Sequence, residues 1–129
     1  MLTKRYILIV DDDQAIVQAM MRSFMAKRHD LYEPIVAMDG YEALKTLQSR
    51  VIDCIVLDLK MSNLNGLELL YMLQKSPHLK KIQVVVSSGF IDESMEDELC
   101  ILGVSNILKK PYSMEQLIET VDDLMLHLT

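Results

Sequence analysis

Four short apolar stretches of this sequence each end in residues able to do phosphate or metal chemistry. Asp11-Asp12-Asp13 follows Ile7–Val10, Asp58 follows Cys54–Leu57, Ser87-Ser88-Gly89 follows Val84–Val86, and Lys109-Lys110-Pro111 follows Ile107-Leu108. Carboxylates gathered at one place repel and raise each other's pKa unless a cation joins them. A hard divalent ion is the natural cation. Mg²⁺ takes oxygen ligands, keeps several waters, and is commonly held by one or two carboxylates together with phosphate oxygens. Asp12 and Asp58 are the first-choice ligands, with Asp11 reached directly or through water. A carboxylate beside such an ion is also a nucleophile toward phosphorus and would form an aspartyl phosphate. Lys110 would then neutralise charge on the phosphoryl oxygens, and the Ser88 hydroxyl would donate to one of them.

Each part alone has a plainer reading: an Asp run after a strand is usually a turn with a helix cap, and a lone lysine a solvated charge. The succession changes this, because the apolar stretches read as strands and place the polar residues at one edge. Ile7–Val10, Ile35–Ala37, Cys54–Leu57, Val84–Val86 and Ile107-Leu108 are mostly unbroken apolar runs, the pattern of strands covered on both faces in a parallel sheet. Pro34 before the second run suits an edge strand. Between the runs lie helix-periodic stretches. Ala15, Ile16, Ala19, Met20 and Phe24 recur at three- and four-residue spacing behind Asp13 as N-cap. Asp39 with Glu42, Asn65 with Glu68, Ser94 with Asp97 and Ser113 with Gln116 are candidate caps for the other four helices, and Pro77 closes the third. A βαβαβαβαβα order with short connections implies one five-stranded doubly wound parallel sheet with right-handed crossovers, which fits the flavodoxin-like order 2-1-3-4-5. In such sheets ligands bind beyond the carboxyl ends of the strands, where the four polar groups fall.

Composition narrows the field. The chain has 129 residues, enough for one domain spanning 1–129, and half of them are apolar, which excludes a disordered or disulfide-stapled chain. The net charge of −6 disfavours direct nucleic-acid binding, which rests on clustered Lys and Arg. No apolar run approaches the length of a membrane span. Cys54 and Cys100 lie in apolar contexts with no secretory segment before them, so both are expected as reduced core thiols of a cytoplasmic protein. The ten methionines read as core filler. His29, His78 and His127 lack ligand spacing for zinc. The acidic stretch Asp92–Glu98 reads first as a solvated helix face and second as a determinant of partner choice. The last helical pattern runs nearly to Thr129, and no output domain is expected to follow in this chain.

Taken together, ILIVDDD, VLDLKM with Gly66 following, SSGF and KKPY resemble the receiver domain of two-component response regulators, over essentially the whole chain. Asp12 precedes Asp58 by 46 residues, Ser88 follows it by 30 and Lys110 by 52, separations close to those usual for receivers. The resemblance implies that Asp58 is the phosphoacceptor, supplied by a histidine kinase or a histidine phosphotransfer protein. It implies that Asp11 and Asp12 hold Mg²⁺ with Asp58 and the backbone carbonyl of Lys60. Ser88, with Gly89 beside it, matches the hydroxyl residue that follows the phosphoryl group; choosing Ser87 would require an insertion before Lys110. Lys110 matches the family's lysine, whose bond to the next proline is often cis. A downstream effector would read the face made by the fourth helix, fifth strand and fifth helix. Two positions depart from the pattern: Ser62 stands where receivers usually have proline, and Ile107 stands at a switch position that is commonly aromatic. Glu119, Asp122 and Asp123 of the last helix do not make the paired charges of receiver dimers, so the resemblance leaves a homodimer open.

Two other readings compete. Asp11 and Asp13 also fit the DxD motif of haloacid-dehalogenase-like phosphohydrolases, as nucleophile and acid/base, which leaves Asp58 without a task. A receiver-shaped interaction module independent of phosphate would usually have lost one of Asp12, Asp58, Ser88 or Lys110, and all four are present.

Overall fold

The computed structural model describes residues 3–61 and 64–126; Ser62, His127 and Thr129 lie outside them. Five strands alternate with five helices: β1 (Arg5–Val10), α1 (Gln14–Arg28), β2 (Tyr32–Ala37), α2 (Gly40–Ser49), β3 (Cys54–Asp58), α3 (Gly66–Gln74), β4 (Gln83–Ser88), α4 (Glu93–Ile101), β5 (Asn106–Lys109) and α5 (Met114–Leu126). A short 3₁₀ turn, Leu79–Lys81, precedes β4. All pairings are parallel and the order is β2-β1-β3-β4-β5, as expected.

The unbroken apolar runs have a simple physical cause. Successive side chains of a strand point to opposite faces, and helices cover both. On one face Leu8, Val10, Ile55, Leu57 and Val86 pack with Ala43, Leu47, Leu69, Leu70, Leu73 and Leu99 from α2, α3 and α4. On the other, Ile7, Ile9, Cys54, Val56 and Val85 pack with Val17, Met20, Phe24, Leu117, Ile118, Val121 and Met125 from α1 and α5. β3, at the centre, is buried at every residue. Strands extend beyond the apolar runs where flanking residues still pair: β2 begins at the buried Tyr32, takes in the exposed Glu33, and contains Pro34, an edge position where the missing N–H is tolerated.

Local capping sets where the helices begin. Asp13 accepts from the backbone N–H of Ala15 and Ile16, Asp39 from Glu42, and Asn65 and Glu68 form a reciprocal box. Ser113 and Gln116 exchange side-chain and backbone bonds ahead of α5. The cap expected at Ser94 is instead Asp92, which accepts from Met95; the helix starts at Glu93, and Ser94 and Asp97 are exposed residues within it. A carboxylate accepts the free N–H of the first turn directly, and Asp92 is the first residue placed to do so. The two thiols also separate: Cys54 is buried and Cys100 is exposed on α4, because the core stripe of that helix runs through Leu99. Methionine burial is mixed, with Met20 and Met125 in the core and Met25 half exposed.

Candidate functional site

The strand order reverses between β1 and β3, and the segments after those strands, with the end of β5, converge there. Asp11 follows β1 directly, its N–H still bonded to the Ala37 carbonyl at 3.2 Å. Asp58 is the last residue of β3. Lys110 follows β5 and is held by its N–H to the Ser88 carbonyl at 2.8 Å. Backbone ladders continued past the strand ends thus fix all three positions.

Carboxylate oxygens of Asp11, Asp12 and Asp58 lie within 4.8 Å of one another, Asp11 and Asp58 buried and Asp12 exposed. The ammonium of Lys110 stands 3.5 Å from Asp11 Oδ2 and 3.8 Å from Asp58 Oδ2. The other Asp11 oxygen accepts from the Asp13 N–H at 2.9 Å, and Asp58 Oδ1 accepts from the Lys60 N–H at 3.2 Å. Burial pushes the Asp58 carboxyl above the usual carboxylate range, and the charge of Asp11 adds to this; Lys110 and the Lys60 N–H pull the other way without cancelling it. Three all-oxygen donors at this spacing, one of them solvent-facing, suit a hard divalent cation such as Mg²⁺ that keeps part of its water shell. One lysine among three carboxylates leaves the cleft net negative, so a cation relieves it.

Other named residues fall around this centre. Ser88 ends β4, nearly fully buried, and its hydroxyl donates to the Phe90 carbonyl at 3.1 Å. Ser87, the alternative to it, is the register partner of Asp58, and its hydroxyl pairs with that of Tyr112 at 2.6 Å. Ile107 is half-buried on the α4 side, where it packs against the core. Lys60 is exposed, and its N–H serves Asp58. The Lys110–Pro111 bond is cis. Asp13 caps α1, which takes its carboxylate out of the acid/base part that the dehalogenase reading requires.

Two features were not drawn from the sequence. Gly66 opens α3 so close to the end of β3 that an added Cβ would lie 2.7 Å from the Asp58 carbonyl and 2.7 Å from Leu59 Cα. The Gly66 N–H donates to the Leu59 carbonyl at 3.1 Å, tying the helix start to the acidic strand end. Gly66 follows the VLDLKM motif in sequence, but its contact is visible only in three dimensions. Tyr112, the last residue of KKPY, places its phenol against Ser87, the register partner of Asp58. Burial raises its pKa, while Ser87 and Lys110 lower it.

A doubly wound parallel sheet in the order β2-β1-β3-β4-β5, with three carboxylates and a lysine at its switch point, defines a protein of flavodoxin-like fold. The sequence matches the family model of the response regulator receiver domain over residues 7–122, and the chain belongs to that family of two-component signalling domains. The CAI-1 autoinducer sensor kinase/phosphatase CqsS of Vibrio cholerae is 32% identical over 124 residues, 92% of this chain and 17% of that protein. Response regulator MprA of Mycobacterium sp. (strain KMS) is 31% identical over 112 residues, 87% of this chain and 46% of that protein. The chain therefore spans less than half the length of either relative. Among solved structures, the receiver domain of Francisella response regulator 1452 matches with a TM-score of 0.83 at 30% identity, over 94% of this chain and 96% of that one. Chemotaxis protein CheY4 of Vibrio cholerae shares the fold with a TM-score of 0.86 at 24% identity, over 95% and 100% of the two chains.

Proposed function

We propose that the chain, acting as a single receiver unit over 1–129, is a phosphorylation-operated switch with Asp58 as its phosphoacceptor. The observation that carries this reading is the convergence of Asp11, Asp12 and Asp58 with the Lys110 ammonium 3.8 Å from Asp58. The donor is the phosphohistidine of a histidine kinase or of a phosphotransfer protein. A carboxylate oxygen of Asp58 bonds to phosphorus as the phosphorus–nitrogen bond breaks, and the departing imidazole keeps the electron pair and takes up a proton. Asp11, Asp12 and Asp58, with the backbone carbonyl of Lys60, would hold Mg²⁺, which would neutralise charge on the carboxylates and the phosphoryl oxygens. Lys110 adds a fixed positive charge on the same side, and Asp11 orients it.

The phosphoryl group gives the Ser88 hydroxyl a stronger acceptor than the Phe90 carbonyl, because charge-assisted hydrogen bonds are the stronger ones. Ser88 turns toward it, and the half-buried Ile107 repacks at the α4–β5–α5 face that an effector reads. Bonds made only in one arrangement shift the population toward it. Hydrolysis of Asp58 phosphate by water returns the carboxylate, so the domain assists its own phosphorylation and dephosphorylation and turns over no separate substrate. A cytoplasmic site of action is the reading that the receiver-domain match supports; among the described residues no helix is long and apolar enough to cross a membrane.

Incubation with acetyl phosphate and Mg²⁺ is expected to add one phosphoryl group by mass spectrometry. Omission of Mg²⁺ or the change Asp58→Ala should abolish it. Full labelling of the Asp58→Ala protein would sink the assignment.

A further inference from the structure

The segment that carries Lys110 lies between β5 and α5 outside regular secondary structure, from Lys110 to Ser113. A lysine ammonium on a flexible four-carbon stem is only as well placed as the backbone it hangs from. One anchor of that backbone is the Lys110 N–H to the Ser88 carbonyl. The second is a side-chain bond across the sheet end, Tyr112 Oη to Ser87 Oγ at 2.6 Å. Ser87 is 1% exposed and sits directly opposite Asp58 in the β3–β4 register. Residues paired across neighbouring strands point to the same face, so Ser87 shares the face of Asp58. That face is the α1 and α5 side: Val85 packs there, two residues back along β4, and the Tyr112 ring packs there too. The phenol therefore closes a loop of contacts from Asp58 through Ser87 and Tyr112 back to Lys110.

We infer that Tyr112 is a positioning residue, whose hydrogen bond to Ser87 holds the Lys110 segment against the phosphoacceptor strand. The inference deepens the reading of Asp58 as phosphoacceptor and rests on it for the rate effect, but the placement of Lys110 is a property of the metal-free protein. Nothing in the sequence pairs Ser87 with Tyr112, which stand 25 residues apart.

The test uses Tyr112→Phe, Ser87→Ala and the double variant, with Tyr32→Phe as a control that removes a buried phenol bond to Asp122 at the far end of the sheet. Removing this part-buried hydrogen bond is expected to slow acetyl phosphate labelling of Asp58 about three- to tenfold. The double variant should be no slower than the slower single one, since both lose the same bond. Tyr32→Phe should lower the melting temperature and leave the rate unchanged. In the metal-free protein, the Lys110 ε-methylene NMR signals, assigned by their loss in Lys110→Ala, should move toward those of exposed lysines in both single variants. Wild-type labelling rates with unmoved Lys110 signals in Tyr112→Phe would overturn the inference, and so would additive slowing in the double variant. Should Ser87→Ala fail to fold, Tyr112→Phe, which loses only an oxygen, decides alone. If the wild-type protein is not labelled on Asp58, the phosphoacceptor reading fails by itself, and the metal-free Lys110 signals still decide the latch: displaced signals support it and unmoved ones overturn it.

Discussion

Asp58 sits among two other carboxylates and one ammonium, and its surroundings penalise its charge in the metal-free protein. Its folded pKa lies above the unfolded value, with burial as the main cause and Asp11 next. Stability from this group is thus present below the unfolded pKa and is lost as pH rises through the higher folded one. Asp58→Asn, which keeps the volume and drops the charge, should unfold at higher denaturant than wild type at neutral pH without metal. The advantage should vanish below about pH 4, where the wild-type carboxyl is protonated in both states. An Asn variant no more stable than wild type at neutral pH would contradict this account. At this scale the sequence was informative where chemistry depends on residue type at a strand end. Asp11, Asp12, Asp58 and Lys110 could be read from their places after apolar runs. The Ser87 and Tyr112 pair could not, because it depends on strand register and on which face each side chain takes.

Gly66 shows how an element supports the cleft. Alanine is the better helix former by up to about 1 kcal/mol, yet here its methyl would press on backbone atoms of Asp58 and Leu59, which cannot swing aside as a side-chain tip would. Overpacking of this kind costs about 1–3 kcal/mol, so the steric term wins. Gly66→Ala should lower the urea midpoint and also slow labelling of Asp58, whose carbonyl it displaces. Equal stability and equal labelling would show that the α3 start yields freely. Elements themselves were legible to different degrees. Buried strands announced themselves as apolar runs, but β2 and β4 reach further than their runs because Tyr32, Gln83, Ser87 and Ser88 join the ladder through backbone groups that carry no hydropathy signal. Helix starts at α1, α2, α3 and α5 were legible because the cap residue stands directly before the helical period. At α4 several acidic and hydroxyl residues compete, and Asp92 takes the cap because its own backbone is extended while helical geometry already begins at Glu93.

Across the whole molecule, the ends of the sheet do different work. Far from the cleft, Arg28 and Tyr32 both bond Asp122, joining α1, β2 and α5: the Tyr32 phenol donates at 2.6 Å and the Arg28 guanidinium at 2.9 Å. Burial and the Asp122 carboxylate together drive the Tyr32 pKa well upward, so the phenol stays a donor throughout the ordinary pH range. Tyr32→Phe should cost about 1 kcal/mol, or roughly 3–5 °C in melting temperature for a domain of this size. A calorimetric scan checks it, and a melting point equal to wild type would mean that Arg28 alone satisfies Asp122. In the sequence Asp122 is only one acidic residue of the last helix, because its partners lie 90 and 94 residues away.

Pro34 within β2 has a consequence for many copies at once. The rim of a β-sheet is a template on which other chains can polymerise through their backbones. One rim here is β2, whose row of donors is broken by a proline; the other is β5, four residues long, with Lys109 ion-paired to Glu96 alongside it. Neither rim invites strand-by-strand growth, so crowding leaves association to the helical faces.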